Sequence, residues 1–481
     1  MIGPGVASIL RNGLYLLGSG WLAYGLRGLY VIALARFLGP DGYGLIAYAQ
    51  ALYVLLIGFI GLGMEIILPR EVGRNRERGA DVLRLLLTVR VVTTLVGAVT
   101  FLAIGLLAEP TATGRTVILI LALALLGRSV AIMAQQAFVA FEASRLQLLV
   151  SAVFRTAELA AGCTALVLGA DVVVVAAIHA ASWVGEGLTA LMLVDRRLAP
   201  LRGQRPWAGL PALLREGAVI GLSVALGTWL NAGPLVMYRY MAEDLGAVGI
   251  LGLALQATML IAGALGSFMT AAVPVLSRSV ERADGRDANY LDAATRIGLV
   301  LATIGCLAGL AAGPWLVRVL AGADFTPAGA LLGPALLLIG PIIVSAAAAQ
   351  VFMVRGKATT PLYTNLAAAA VLTAALPPAA TSFGASGVLV AIVAAWLVRA
   401  IVLQALVYHV FRRQPSSACI RVAAAAMVLI GAALALAPAS VMVSALLIMT
   451  AVLVLPIIGL SANERGRAAV IGNRLTTRTI R

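Results

Sequence analysis

Long apolar runs separated by short polar gaps make up almost the whole chain. About fourteen runs are long enough to cross the hydrocarbon core of a bilayer, which takes roughly 20 residues of helix. Open strands in lipid would leave backbone N–H and C=O groups without partners, so helices are expected. The pattern predicts an all-α polytopic membrane protein. Its spans lie at 13–35, 44–68, 85–108, 117–140, 147–169, 172–194, 213–237, 247–273, 292–316, 328–353, 361–381, 386–410, 421–437 and 440–461.

The basic residues fall almost entirely in alternate polar gaps. Of the 35 lysines and arginines, 26 lie in every second gap, 4 in the gaps between, and 5 inside the apolar runs. The positive-inside rule assigns the basic gaps to the cytoplasm. An odd number of spans would put one basic cluster on the wrong side, so the charges favour fourteen. We therefore predict a multi-pass protein of the cytoplasmic membrane with both termini in the cytoplasm. The basic segments are Arg11, 70–84, Arg145, 195–215, 278–296, Arg355 with Lys357, 412–421 and the tail from Arg465.

Composition supports the membrane assignment and argues against other classes. Charged residues make up 11% of the chain and the mean hydropathy is +1.02, whereas ordinary globular domains are about 25% charged. The net charge of +15 follows from arginines that flank spans, so we expect no nucleic-acid partner. The three cysteines, Cys163, Cys306 and Cys419, lack metal-ligand spacing and are predicted to be small core residues. We expect no metal and no cofactor. The first apolar run spans without a typical cleavage site, so no cleavable signal peptide is expected.

The longest hydrophilic stretch, 195–212, separates six spans from eight. We predict a first lobe at 1–200, a cytoplasmic linker at 201–212, a second six-span lobe at 213–415, and two further spans with a basic tail at 416–481. A faint internal repeat crosses the linker. Gly44 matches Gly249, and Pro69 matches Pro274, at one offset of 205 residues. Parallel repeats of this kind are common in transporters, which bind substrate between the halves.

Two segments carry a resemblance to a known family. ALARFLGPDGYGLIAYAQA (33–51) resembles the junction of the first two helices in polysaccharide flippases, which has an AR-x-LGP-x-GYG motif. Residues 353–396 are similar to the tenth-to-twelfth helix region of the same proteins, the Wzx-type branch of the multidrug/oligosaccharidyl-lipid/polysaccharide (MOP) exporter superfamily. In the second half, EDLGAVG (243–249) replaces the LGP-type turn. The resemblance implies about 14 helices in two pseudo-symmetric bundles around a central cavity that opens alternately to each side.

Five arginines lie inside the apolar runs: Arg27, Arg90, Arg128, Arg155 and Arg399. Each costs at least about 2.5–3.5 kcal/mol to insert, which makes a functional role the default hypothesis. Arg27 is the first candidate, with Tyr24 on the same helix face. A guanidinium pairs bidentately with phosphate oxygens, so we predict a cationic, substrate-binding cavity wall of Arg27, Tyr24, Arg128, Arg155 and Arg399. The alternative for each arginine is snorkelling or a structural ion pair. For Arg90, near a helix end, we predict snorkelling.

A polar stripe on the fifth and sixth spans has two interpretations. Arg155 and Glu158 share a helix face, and His179, Ser182 and Glu186 recur at helical spacing on the next span. Glu158, His179 and Glu186 could form a coupling relay for protons or cations. They could equally form structural ion pairs with Arg155, and His179 alone is more typical of a satisfied core histidine. Glu65, beside Pro69 and Arg70, is predicted to form a gate or interface pair.

These features favour a flippase that moves a polyprenyl-pyrophosphate-linked oligosaccharide by alternating access for surface polysaccharide biosynthesis. The expected partners are that lipid-linked oligosaccharide and the bilayer, with other polysaccharide assembly proteins as further candidates. The first alternative is a cation-coupled multidrug antiporter of the same superfamily, although the first span carries no aspartate. The second is an integral-membrane polysaccharide polymerase, but the predicted outward loops are too short for an active site. No ATP-binding or hydrolase motif is present, so we predict that the chain is not an enzyme.

Overall fold

The computed structural model describes residues 4–203, 207–242, 244–282, 286–357, 359–412, 416–436 and 441–459. Within these ranges every regular element is helical. The basic tail, Arg205 and Arg413 lie outside the described residues. The helices are α1 Pro4–Ile60, α2 Met64–Arg74, α3 Gly79–Ala108, α4 Ala112–Ala140, α5 Ser144–Val167, α6 Val172–Arg197, α7 Leu210–Arg239, α8 Leu245–Arg282, α9 Arg286–Ala321, α10 Thr326–Leu336, α11 Ile339–Val354, α12 Thr359–Val410, α13 Ser417–Leu436 and α14 Val441–Ile458.

The first helix, α1, reverses direction at Gly39. Gly39 has a left-handed φ of 68°, which glycine adopts without steric cost, and Pro40 follows it. Arg27 and Gln50 lie 12 and 11 residues from this point. In a straight helix they would be about 35 Å apart, yet Arg27 Nη2 donates a hydrogen bond to Gln50 Oε1 at 2.5 Å. The two halves of α1 therefore form an antiparallel hairpin, as the separate spans 13–35 and 44–68 require.

The long helix α12 is a second hairpin, which turns at Gly384. This glycine has a φ of 56°. Asn365 and Arg399, on opposite sides of it, would be about 51 Å apart in a straight helix, but Arg399 Nε donates to Asn365 Oδ1 at 2.5 Å. The division between the predicted spans 361–381 and 386–410 is confirmed.

Ten helical segments within the described residues are long and apolar enough to cross a membrane, and both hairpins are among them. The apolar parts of α13 and α14, Ser417–Ala433 and Leu446–Ile458, are shorter. The chain is thus an all-helical, multi-pass membrane protein. The number of fourteen spans, their pseudo-symmetry and the orientation of the termini stay predictions.

Several predicted boundaries are wrong for local reasons. The span 44–68 ends at Ile60, because Leu62 and Gly63 both have positive φ and α2 starts a new helix. The span 328–353 is confirmed as one segment, Ala323–Val354, in which a turn at 337–338 separates α10 from α11. The basic gap 278–296 is mostly helical, since α8 continues to Arg282 and α9 begins at Arg286. Charged residues extend these helices beyond the apolar run that defined the prediction. Likewise α7 begins at Leu210, inside the predicted linker.

The helices group around two contact networks. In the first, α1 and α2 pack with α3, α4, α5 and α6; in the second, α7 to α12 pack together, with α13 and α14 against α9. We call these the first and second lobes. α1 joins them, because it packs on α7, α8 and α9 of the second lobe as well as on its own.

The lobes meet closely at the end of the molecule that bears the α1 turn, which we call the Gly39 end. A Cβ on Gly44 would lie 2.1 Å from the Leu245 carbonyl oxygen, and one on Gly249 would lie 2.2 Å from that of Pro40. Adding the offset of 205 residues converts one contact into the other, because Pro40 corresponds to Leu245 and Gly44 to Gly249. The repeat found in the sequence is therefore a local two-fold contact between the starts of two helices.

Two arginines in the sparsely basic gaps bridge the lobes at the same end. Arg36, on the first half of α1, donates to the carbonyl oxygen of Val319 at 2.9 Å, near the end of α9. Arg239, at the end of α7, pairs with Glu109 after α3 at 3.2 Å. Glu109 is fully buried there. The lobes are thus closed at the Gly39 end.

Candidate functional site

Three of the five in-span arginines converge in the first lobe. Arg27 comes from α1, Arg128 from α4 and Arg155 from α5. Arg27 lies 12 residues before the turn at Gly39, about 18 Å along the helix, which is roughly half of a 30 Å hydrocarbon core. These arginines and the polar side chains that bond to them are here called the first-lobe network.

Arg155 is tied to two buried carboxylates. Its Nη1 contacts Glu158 Oε2 at 2.5 Å and its Nη2 contacts Glu186 Oε2 at 2.6 Å. Both glutamates are at most 4% exposed. Gln135 and Ser151 donate to the other oxygen of Glu186 at 2.9 and 3.1 Å. One guanidinium is therefore shared by the two carboxylates of the network, which is the structural ion pair considered from the sequence.

His179 connects this ion-paired group to Tyr53. Its Nδ1 lies 2.5 Å from Glu158 Oε1, and its Nε2 lies 2.8 Å from the Tyr53 hydroxyl. Tyr53 is fully buried on the second half of α1. If Tyr53 donates to Nε2 and His179 Nδ1–H donates to Glu158, both ring nitrogens are satisfied with the imidazole neutral. The geometry thus supports the interpretation of His179 as a satisfied buried histidine.

Arg27 and Arg128 differ from Arg155 because neither has a carboxylate within salt-bridge distance among the described residues. Arg27 donates to the neutral amide of Gln50, and Arg128 Nη1 donates to the Tyr53 hydroxyl at 3.1 Å. The guanidinium of Arg128 also lies 4.9 Å from the centre of the Trp183 ring and 5.4 Å from that of Tyr53. With three arginines against two glutamates, the first-lobe network carries an excess positive charge.

The arginine-bearing face of α1 borders the second lobe. A Cβ on Gly28 would lie 3.6 Å from the Leu260 side chain of α8. Tyr24 packs on α8 as well, since a Cβ on Gly263 would lie 2.5 Å from the Tyr24 ring. Tyr24 and Gly28, on either side of Arg27 in the sequence, therefore lie where the two lobes approach each other.

Arg399 is separate from the other arginines. It lies within the second lobe, 8% exposed, and bonds to Asn365 Oδ1. Asn365 in turn donates to Ser223 of α7. The Arg399 guanidinium lies 4.9 Å from the centre of the Trp396 ring. The structure therefore does not join Arg399 to the first-lobe network.

The prediction that Arg90 snorkels is wrong. Arg90 is 1% exposed, its Nε donates to Ser129 of α4 at 2.7 Å, and its Nη1 lies 3.4 Å from Glu65. A buried serine and a carboxylate supply the hydrogen bonds that water would otherwise provide. Glu65 is therefore paired within its own lobe.

Sequence reasoning missed Gln50, Tyr53, Gln135 and Trp183. All four are uncharged, so they lack the high cost of membrane insertion that identified the arginines as candidates. Trp183 had a usable signal, because it lies between His179 and Glu186 on the polar part of α6. Gln50 and Tyr53 could be placed only once the turn at Gly39 had brought the second half of α1 against Arg27.

The family model for polysaccharide biosynthesis proteins matches residues 9–280, more than half of the chain. The chain belongs to that family. No curated protein matches the sequence. The family match covers the first lobe from residue 9 onward, all of α7 and α8 up to residue 280.

Solved structures give the fold. A lipid II flippase MurJ in an inward closed conformation matches with a TM-score of 0.71 at 11% identity, over 93% of this chain and 98% of that one. An inward-facing multidrug resistance MATE family transporter of the MOP superfamily gives 0.62 at 15% identity, over 82% and 98%. A MOP superfamily transporter from Pyrococcus furiosus gives 0.53 at 14% identity, over 82% and 93%. The predicted polysaccharide-biosynthesis family is confirmed by the family model, and these structures confirm the predicted fold.

Proposed function

We propose that this polysaccharide biosynthesis family member is a flippase. Its cargo would be a polyprenyl-pyrophosphate-linked oligosaccharide, moved across the cytoplasmic membrane for surface polysaccharide assembly. The headgroup passes between the lobes, 1–200 and 213–415, while the polyprenyl tail stays in lipid. No covalent bond changes, so the protein acts as a transporter and not as an enzyme.

The observation that carries the proposal is the pair of cations, Arg27 and Arg128, without carboxylate partners at mid-depth among the described residues. A charge held in a low-dielectric site requires a counter-charge or polar partners. A pyrophosphate supplies that counter-charge during transit, and guanidinium groups bind phosphate oxygens with charge-assisted hydrogen bonds. We assign direct contact with cargo to Arg27, Tyr24 and Arg128, and a supporting role to Arg155. Arg399 stays a candidate on the second-lobe side.

The closed Gly39 end fits one state of an alternating-access cycle. If the basic turns are cytoplasmic, the Gly39 end is the outward end, and this state is closed to the outside. Opening requires the contacts of Arg36 and Arg239 to break. The lipid II flippase and the MATE transporter with the same fold support a transport role in general.

The antiporter alternative is less well supported by the site. A cation-coupled antiporter needs a carboxylate free to exchange a proton or metal ion. Glu158 and Glu186 both contact Arg155 at 2.6 Å or less. An organic cation would also meet the excess positive charge of Arg27 and Arg128.

The test is transbilayer movement in reconstituted vesicles. A polyprenyl-pyrophosphate-linked oligosaccharide is loaded in the inner leaflet, and its arrival outside is followed with a membrane-impermeant reagent that modifies the sugar. We expect Arg27→Ala and Arg128→Ala to lower the rate at least 10-fold and Arg27→Lys to retain part of it. The matched control is Arg318→Ala, which removes an exposed arginine at the Gly39 end. Wild-type rates in both Arg27→Ala and Arg128→Ala would refute the proposal. Faster movement of an organic cation than of the lipid-linked oligosaccharide would favour the antiporter.

A further inference from the structure

Arg128 is the in-span arginine of the first lobe that two aromatic rings hold in place. Its guanidinium carbon lies 4.9 Å from the centre of the Trp183 ring and 5.4 Å from that of Tyr53. The Tyr53 hydroxyl accepts from its Nη1 at 3.1 Å. A ring face attracts a cation through its quadrupole but carries no net charge. Unlike a carboxylate, it therefore holds the arginine without cancelling its charge.

The same contact contains two donors without partners. Arg128 Nε and Trp183 Nε1 are buried, and neither has a hydrogen-bond partner among the described residues. Buried donors are nearly always paired, and an unpaired one costs free energy comparable to a lost hydrogen bond. Two such donors at one guanidinium–indole contact are explained if an acceptor joins them there. Anionic phosphate oxygens are acceptors without donors of their own and suit both groups.

Trp183 also contacts Arg155, whose guanidinium carbon lies 3.9 Å from the ring centre. Arg155 is occupied by Glu158 and Glu186. The indole ring thus packs between the ion-paired part of the network and the free cation. It therefore contacts both arginines, one paired with carboxylates and one without.

We propose that Trp183 is a positioning residue that, together with Tyr53, holds Arg128 for binding the phosphate of the cargo. Arg128 stays charged and its Nε has no other hydrogen-bond partner among the described residues. The indole N–H of Trp183 donates to the same phosphate. This inference rests on the proposed function, because it assumes a phosphate-bearing ligand at Arg128. It also accounts for specificity. The two rings, here called the aromatic clamp, favour an anionic acceptor at Arg128 and offer no carboxylate to an organic cation. Trp183 acts mainly through Arg128.

The test measures binding of inorganic pyrophosphate to the full chain in detergent micelles by titration calorimetry. We expect Trp183→Leu to weaken binding about 3- to 30-fold, the range between an exposed and a desolvated cation–π contact. Trp183→Phe keeps the ring and loses the N–H that donates to the phosphate, so we expect it to recover part of the loss. In an Arg128→Ala background, Trp183→Leu should add little, because the group it positions is gone. Trp315→Leu is the control, since that tryptophan is exposed on α9.

The outcomes separate this inference from the proposed function. If Arg128→Ala weakens binding but Trp183→Leu does not, the aromatic clamp is refuted and the cationic site stands. An equal loss from Trp183→Leu with and without Arg128 would also refute a positioning role. If neither Arg27→Ala nor Arg128→Ala changes binding, the cationic site itself fails. Each variant is compared with wild type for elution volume and thermal stability. If Trp183→Leu does not fold, Tyr53→Leu replaces it in the same double-mutant comparison.

Discussion

The ion pair between Arg239 and Glu109 should act as a lock on the closed Gly39 end. Arg239→Ala removes the partner of a carboxylate that is fully buried in the closed state. Loss of one member of a buried pair costs about 3–5 kcal/mol. Glu109 keeps hydrogen bonds from Thr111 to its Oε1, so we take the lower limit of about 3 kcal/mol. If the lobes separate at this end, water can reach Glu109 and the cost disappears. The ratio of the open to the closed state therefore rises roughly 100-fold.

Distances between spin labels can measure this shift. Leu168 and Ala323 are exposed at the Gly39 end of the first and second lobes, and both can be replaced by cysteine after the three native cysteines are removed. Double electron–electron resonance should show a longer distance population in Arg239→Ala. The double variant Glu109→Gln/Arg239→Ala should return toward the closed distance, because a neutral amide needs no cation. An unchanged distance distribution in a folded Arg239→Ala protein would refute the lock.

Two further outcomes follow from the same end of the molecule. Gly44→Ala should hold the lobes apart and slow cargo movement at least 10-fold, because its Cβ would lie 2.1 Å from the Leu245 carbonyl oxygen; Gly25→Ala, with nothing within 4 Å, is the control, and normal movement with closed spin-label distances would contradict the expectation. The carboxyl groups of Asp41 and Asp244 approach each other across the lobes, since a Cβ on Gly246 would lie 3.0 Å from an oxygen of each. Burial, and then the neighbouring Asp244, raise the pKa of Asp41. Lowering the pH toward the raised pKa of Asp41 should therefore favour the closed Gly39 end, because protonation removes like-charge repulsion. Asp41→Asn should abolish that pH dependence, and a wild-type distance distribution independent of pH would count against the pair.

Much of the architecture follows from the sequence because membrane insertion makes strong demands. Every span must be apolar over roughly 20 residues and helical, so composition alone located the helices. The offset of 205 residues identified Gly44 and Gly249, and the structure shows them in contact. Helix ends were less predictable. The helices α8 and α9 continue into charged sequence beyond their apolar runs, so hydropathy does not show where these helices end.

The site was predictable where a charge had to be buried, and unpredictable where neutral groups complete it. Arg27, Arg128 and Arg155 stand out because each is costly in hydrocarbon. Which of them retains an unneutralised charge depends on partners distant in sequence, such as Glu186 for Arg155. Arg90 illustrates the limit. Its position near a helix end indicated snorkelling, but Ser129 on another helix gives it a buried partner.

The hairpin formed by α1 has a consequence for how the chain is made. Arg27 finds Gln50 within the same hairpin, so the first buried charge to enter the bilayer is satisfied as soon as residues 13–60 have been inserted. Arg128 finds Tyr53 in the same hairpin but gains Trp183 only when α6 is inserted, and Arg155 gains Glu186 at the same time. The face of α1 that carries Gly44 waits longer still, until α8 is synthesised some 200 residues later. During biogenesis the Gly44 face of α1 is therefore exposed to lipid until α8 is inserted. Lipid tails can contact this small glycine surface first and are displaced when α8 packs on it.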